Sequence, residues 1–387
     1  MRSEESIGLL KVILLTSRLS SAAGGLAISV PKVAHGVART KGWGVHVVGV
    51  KDPEDPEAAT TWGPNVHAHL PKGPRGFAYA SGMERTVEWV APAITDVQGL
   101  WTYPSLVNLR YHRRHNTPYI VTPRGMLDPW ARARSRWKKQ VVRFWFEDAH
   151  LREATCLRAT SQMEASHFRD FGLRQPIAVV PNGIDTPEKL PNPCRGRRRR
   201  ALFLSRIHPK KGLPFLLRAW AAVAPNCPDW ELVIAGPDEI GHMEEMRALA
   251  GKLAVPRVRW CGPVSGQAKD DLYRSADLFI LPTHAENFGL VVGEAMAQGV
   301  PVITTKNAPW DGLDAHRCGW WIELSHRSLV DALTDATRRD RGELEAMGAR
   351  GYAWMKRDFS WDRVAEQMAE VYEWVAHAGD RPRQVST

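Results

Sequence analysis

Short, fully apolar runs alternate with amphipathic helical runs along this chain, and that alternation restricts the fold to parallel α/β architecture. In the first half, residues 11–16 (KVILLT), 45–50, 119–122 and 178–180 read as strands. A loop with Gly24-Gly25 and a helix over 29–40 follow the first of them. The second half repeats the pattern, with strands at 201–205, 230–235 (WELVIA), 278–282 and 300–304 and helices at 212–224 and 290–298. Leu213, Leu216, Leu217, Trp220 and Val223 carry the spacing of one buried helix face. A last helix over 361–375 has Ser360 as N-cap and a stripe of Val364, Met368, Val371 and Val375. Residues 52–76, rich in Pro, Gly and His, read as loop.

At roughly 100–200 residues per domain, the 387 residues predict two. The expected boundaries are a first α/β domain at 1–185, a Pro/Gly/Arg linker at 186–200, a second α/β domain at 201–358, and a terminal helix and tail at 359–387. Two such halves leave a cleft, and ligands of these sheets bind beyond the carboxyl ends of the strands. The chemistry is therefore to be sought in strand-to-helix loops.

Several classes are excluded. No apolar run approaches the ~20 residues of a membrane span, and Glu4, Glu5 and Lys11 make the apolar start from Ile7 a first strand rather than a signal peptide. Five cysteines, odd in number and scattered, argue against a disulfide framework and for a reducing cytoplasm. The 14 histidines lack metal-ligand spacing with Cys or Asp, so no metal is expected. The first 200 residues hold 30 basic and 17 acidic side chains, the remainder 22 and 25, so the whole basic excess lies in the first half. That excess suits nucleic acid, anionic lipid or an acidic substrate.

The strongest constellation is Thr283-His284-Ala285-Glu286-Asn287-Phe288-Gly289-Leu290 with Glu294 eight residues beyond Glu286. It places a carboxylate in a loop after a buried strand and a helix start after Gly289, where unpaired N–H groups form an anion site. Glu294, the only charge in an apolar helix, needs a partner: a ribose diol, or solvent and a salt bridge on a face shared with Gln298. Arg206 and Lys211 flank the loop after the first strand of the same half, a pairing that suits a diphosphate.

These residues resemble the nucleotide-sugar domain of retaining glycosyltransferases of family 4, which have the GT-B fold of two Rossmann-like domains. The matching stretches are FLSRIHPKKGLPFLLRAW (203–220), ELVIAGPDE (231–239), 260–305, PWDGL (309–313) and RCGWW (317–321). In the first half, the Gly24-Gly25 loop, TPRGMLDPWARARSRWKK (122–139), ATSQMEA (159–165) and VVPNGID (179–185) are similar to the acceptor domain. The resemblance implies that Arg206 and Lys211 bind the diphosphate, that Glu294 holds the ribose and that Glu286 contacts the donor sugar. It gives the backbone of Phe288, Gly289 and Leu290 to phosphate and sugar, and Gly24 and Gly25 to diphosphate or acceptor. Glu286, Arg206 and Lys211 would be the catalytic set, acting without metal or cofactor, and the terminal helix would return to the first domain. The chain departs from the family where a first-domain histidine is common: Pro123-Arg124-Gly125 and Gln98-Gly99 stand there. Arg124 is assigned to acceptor or donor contact, because a guanidinium is no base at neutral pH.

The function so implied is transfer, with retention, from a nucleotide diphosphate-sugar to a hydroxyl of a glycan or lipid-linked glycan in cell-surface polysaccharide synthesis. A GT-B nucleotide-sugar epimerase and a basic nucleic-acid-binding protein are the alternatives. Nucleic acid is not expected as a partner, because the run Arg195 to Arg200 lacks interleaved aromatics and reads as a solvated linker. The cations from Arg132 to Arg143, among them Arg134, Lys138 and Lys139, adjoin Trp130, Trp137, Phe144, Trp145 and Phe146, with Arg110, Arg113 and Arg114 as a second cluster. Such interleaving suits either an anionic membrane surface, with the enzyme peripheral on the inner face of the plasma membrane, or a solvated face over core tryptophans.

Overall fold

The computed structural model describes residues 9–40, 42–74, 76–133, 136–238 and 240–387. Glu4, Glu5, Ile7 and Arg134 lie outside the described residues, as do the side chains of Trp137 and Lys138. The chain divides into two compact units, one of residues 1–183 and 361–387, the other of residues 184–360.

The first unit is built on strands β1 (Leu10–Leu19), β2 (Trp43–Lys51), β3 (Val66–His69), β4 (Ile94–Gln98), β5 (Tyr119–Thr122), β6 (Cys156–Ala159) and β7 (Ile177–Val179). They form a parallel sheet in the order β3-β2-β1-β4-β5-β6-β7, and a short terminal strand, Val385–Ser386, adds antiparallel to β7. The central strands are buried on both faces, which is why residues 12–15 read as an uninterrupted apolar run. Helix Trp361–His377 covers one face, burying Val364, Met368, Val371 and Val375 as their spacing predicts. It packs on helix Gly25–Arg39 so closely that a Cβ on Gly36 would lie 2.5 Å from Ala365 Cβ. The terminal helix thus belongs with the first unit.

Three elements differ from expectation. The first helix starts at Gly25, not residue 29, and it carries Pro31 in its second turn, where the ring removes one backbone bond. The 52–76 stretch contains β3, whose sequence Val-His-Ala-His lacks the apolar side chains that announce a strand. It pairs with β2 at the edge of the sheet.

The second unit repeats the topology with β8 (Arg199–Leu204), β9 (Trp230–Ala235), β10 (Val258–Gly262), β11 (Leu278–Leu281), β12 (Val302–Thr305) and β13 (Gly319–Ile322). The order is β10-β9-β8-β11-β12-β13, all parallel, that is 3-2-1-4-5-6 in order of appearance. Helix Leu213–Val223 buries the face read from its spacing, with Trp220 fully enclosed.

The stretch 186–200 is the third difference. It packs against the second unit: Tyr352 Oη donates to Pro187 O at 2.8 Å, and Cys194 N to Arg274 O at 2.9 Å. Its arginines are not a solvated run. The Arg195 side chain is 7% exposed, with Nε 3.4 Å from the buried Asp277 carboxylate and Nη1 on Glu345. Arg199 lies over the Trp230 ring at 4.4 Å, and Arg200 pairs with Glu231 at 2.9 Å. Only Arg197 and Arg198 of the run remain exposed. Partners far away in sequence decide this burial, and no local pattern reveals them.

Candidate functional site

In a parallel sheet of order 3-2-1-4-5-6, the loops after strands 1 and 4 leave in opposite directions and open a crevice between them. In the second unit these are the loops after β8 and β11, and they carry Arg206, Lys211 and Glu286. The two loops are stitched together. His284 N and Thr283 Oγ1 donate to Lys210 O at 2.8 and 3.0 Å, and Glu286 N donates to Asn307 O at 2.9 Å in the loop after β12. Gly212, at φ 71°, lets the first loop pass the second: a Cβ there would stand 1.8 Å from Pro282 O.

This stitching brings two of the anticipated residues into contact. Lys211 Nζ donates to Glu286 Oε1, and both side chains are nine-tenths buried. Arg206 is exposed at the first position of the loop, directly after Ser205. Helix Leu290–Ala297 begins beside the pair, at an N-cap Gly289 in the left-handed region (φ 77°) with no side-chain cap. Its first-turn amides keep the partial positive charge that attracts an anion.

Phe288 faces away from this crevice. It is buried on Trp310 and Phe359, with ring centroids 5.1 and 6.0 Å apart, so only its backbone faces the loop.

Glu294 is held by two side chains that sequence reasoning missed. Tyr273 Oη donates to Glu294 Oε2 at 2.9 Å, and Lys269 Nζ lies 2.6 Å from the same oxygen. Both come from helix Gly266–Arg274, one turn apart, so they present one face to Glu294. Their spacing puts them on one helix face but does not point to a partner 21 residues further on. Burial and the adjacent Glu294 carboxylate push the Tyr273 phenol well above its ordinary pKa, so it stays a donor. The salt-bridged reading of Glu294 therefore holds for Oε2. The helix neighbour Gln298 is part-buried.

In the first unit the equivalent switch point lies between β1 and β4. Gly24 follows β1 with φ 60° and ψ −132°, a conformation open essentially to glycine alone, and caps helix Gly25–Arg39 without a side-chain bond. Arg124, after β5, is a non-glycine residue at φ 57°. Its Nε donates to Gln98 Oε1 at 3.0 Å and its Nη1 to Asn182 Oδ1 at 2.8 Å, so the two residues standing where histidine is common are hydrogen-bonded to each other. Burial of the guanidinium, then the nearby Arg158 cation, push the Arg124 pKa down to about 9. Asp96, Thr122, Arg158 and Tyr372 form the polar layer beneath: Tyr372 Oη and Thr122 Oγ1 each donate to Asp96 at 2.8 Å. Arg158 and Asn182 are further residues that sequence reasoning did not single out.

The basic segment is also resolved into parts. Helices Pro129–Ala133 and Arg136–Val142 run into a π-helical turn, Arg143–Glu147. Phe144 is 95% exposed, and Trp145 and Val141 about as freely as each other at 61% and 60%, whereas Phe146 is core. Arg132 and Arg143 both lie over the Phe171 ring, at 4.9 and 4.7 Å. The second cluster is neutralised, with Arg110 on Glu84, Arg113 on Glu153 and Arg114 on Glu88. Among the described residues, no group of three or more His, Cys, Asp or Glu side chains is placed to hold a metal ion, and no helix is long and apolar enough to cross a membrane.

Two family profiles match the chain in succession: "Glycosyl transferase 4-like domain" over residues 24–183 and "Glycosyl transferases group 1" over residues 198–339. The chain belongs to this glycosyltransferase family. Its family 4 resemblance is thereby established across both units, and the fold is GT-B. Over 257 residues this glycosyltransferase-family chain is 33% identical to a D-inositol 3-phosphate glycosyltransferase of Actinosynnema mirum, an alignment covering 58% of this chain and 59% of that protein. The alignments span between 52% and 65% of the length of the first curated relatives it matches. Among solved structures, sucrose-phosphate synthase from Thermosynechococcus elongatus superposes with a TM-score of 0.77 at 21% identity, covering 95% of this chain and 100% of that one. HepE of Anabaena, in complex with UDP-glucose, superposes with a TM-score of 0.72 at 19% identity, covering 94% and 99%. At these identities the two structures speak for the fold of this family member.

Proposed function

We propose that this chain is a glycosyltransferase that moves a sugar from a nucleotide diphosphate-sugar to an acceptor hydroxyl, with retention at the anomeric carbon. The observation that carries this reading is the contact of Lys211 with Glu286 at the switch point of the second sheet, beside an uncapped helix N-terminus. The leaving diphosphate gains negative charge as its bond to the sugar breaks. Lys211 and the amides beginning at Leu290 are held donors for such charge, with Arg206 at the loop's first position beside them, and held donors need little reorganisation during the reaction. Glu286, tied to Lys211, orients the sugar, and Glu294 accepts from the ribose hydroxyls. In this scheme the cations and the helix terminus supply the charge that a divalent ion supplies elsewhere, and no metal or cofactor takes part.

Acceptor contacts fall to the first unit, at Gly24, Gly25 and Arg124. The acceptor class is a glycan or lipid-linked glycan of cell-surface polysaccharide synthesis. The exposed Val141, Phe144 and Trp145 at the end of the basic segment support contact with an anionic membrane surface. Five unpaired cysteines suit the reducing cytoplasm, with the protein peripheral on the inner leaflet. Family membership favours transfer over epimerisation, which needs no acceptor. Internal engagement of Arg195, Arg199 and Arg200 leaves only Arg197 and Arg198 of that run to meet a nucleic acid, which weighs further against one.

The test is incubation with a panel of UDP-, GDP- and ADP-sugars, including UDP-glucose, the ligand in the HepE structure. Release of the nucleoside diphosphate that rises on adding an acceptor glycan supports transfer. Conversion of one free nucleotide sugar to another without an acceptor would instead indicate an epimerase.

A further inference from the structure

Glu294 is not a free carboxylate waiting for a ligand. Tyr273 Oη and Lys269 Nζ both meet Oε2, at 2.9 and 2.6 Å. A carboxylate with both protein partners on one oxygen presents the other oxygen in a fixed direction, and fixed direction is what discriminates one hydroxyl from its absence. The tyrosine is itself immobile: it is fully buried, its ring packs on Phe279 with centroids 5.9 Å apart, and its hydroxyl also reaches Val291 O at 3.3 Å, one turn before Glu294. Lys269, part-exposed, supplies the countercharge that keeps the carboxylate ionised next to an apolar helix.

We propose that Tyr273 and Lys269 are positioning residues for nucleotide recognition: they pin Glu294 Oε2 so that Oε1 accepts from the ribose hydroxyls, and so set the preference for ribonucleotides over 2′-deoxyribonucleotides. This rests on the donor site proposed above. Neither side chain touches the nucleotide; each acts through Glu294. Because each acts through Glu294 rather than on the ribose itself, losing either should lower the preference by roughly 2- to 10-fold, the worth of one neutral hydrogen bond.

The experiment measures, by calorimetry on the full chain, the affinities of UDP, GDP and ADP and of their 2′-deoxy counterparts. The wild type should prefer the ribonucleotide, Glu294→Ala should abolish the preference, and Tyr273→Phe and Lys269→Met should each reduce it. The ratio is the decisive readout, because a variant that merely loosens the fold weakens both nucleotides alike and leaves the ratio unchanged. A wild-type preference lost in Glu294→Ala but intact in both other variants overturns the positioning role and leaves the donor site standing. No preference in the wild type, or no binding of any of the six, overturns the ribose assignment of Glu294 together with this inference.

Discussion

Lys211 and Glu286 leave different strands, 75 residues apart in sequence, and meet as a buried ion pair where the loops after β8 and β11 cross. Removing either partner strands the other charge in a place nine-tenths closed to water, which is costly. The pair is therefore stable only as a unit or with a ligand of matching charge. A diphosphate-sugar offers both halves of such a ligand, anionic oxygens for Lys211 and hydroxyl donors for Glu286.

The crossing itself depends on Gly212. Its φ of 71° and the 1.8 Å that would separate a Cβ from Pro282 O leave no room for a side chain, and the obstacle is backbone. Gly212→Ala should lower unfolding stability by about 1–3 kcal/mol and weaken nucleotide binding as the loops part. Urea unfolding and calorimetry check this. A variant with native stability would show that the loops have slack.

Activity should survive exhaustive chelation. In the proposed mechanism Arg206, Lys211 and the helix start at Leu290 meet the charge on the leaving group, so dialysis against EDTA should change initial rates by less than about twofold. Loss of activity that magnesium or manganese restores would replace it.

The edge strand β3 should make stability sensitive to acid. His46 Nδ1 and His67 Nε2 lie 3.0 Å apart, and His69 Nε2 lies 3.1 Å from Thr86 Oγ1. Burial lowers all three histidine pKa values, and repulsion from His67 adds to it for His46 and His69, with Lys11 and Arg85 contributing in turn. A folded pKa below the unfolded one means that the unfolded chain binds more protons. Stability is then intact above the ordinary value near 6.5 and falls as pH drops below it towards the folded values. Melting temperatures between pH 7.5 and 5 should decline more steeply in the wild type than in His46→Gln/His67→Gln. Parallel profiles would exclude the pair as the cause.

Membrane contact, if it uses the basic segment, should depend on its apolar end. Flotation with anionic vesicles should show binding at low salt that weakens as salt rises, and Phe144→Ser/Trp145→Ser should reduce it more than Arg113→Gln, whose guanidinium is already paired with Glu153. No binding at low salt would leave these rings without a lipid role.

Four strands of the second unit, β8, β9, β11 and β12, were legible because they are buried and so read as apolar runs, whereas the partly exposed edge strands β10 and β13 went unread. The unit's loop from Thr283 to Leu290 ties chemistry to a strand end and a helix start within one short stretch. What was illegible depends on distance in sequence. Tyr273 lies 21 residues from Glu294, and Asp277, which draws in Arg195, lies 82 residues from it. No local pattern announces either pairing. β3 escaped because Val-His-Ala-His offers its apolar face only two small side chains. The cations at Arg110, Arg113 and Arg114 looked like a patch because their glutamates lie 26 to 40 residues away.

The most direct measurement is calorimetric titration of the wild type and of Lys211→Ala with UDP-, GDP- and ADP-sugars. The wild type should bind at least one of them saturably at a single site, and Lys211→Ala, folded by circular dichroism, should bind it at least about tenfold more weakly, the worth of one lost charge-assisted contact. Equal affinity in the two proteins, or no binding of any nucleotide sugar to the wild type, would contradict the assignment of the β8–β11 crevice as the donor site.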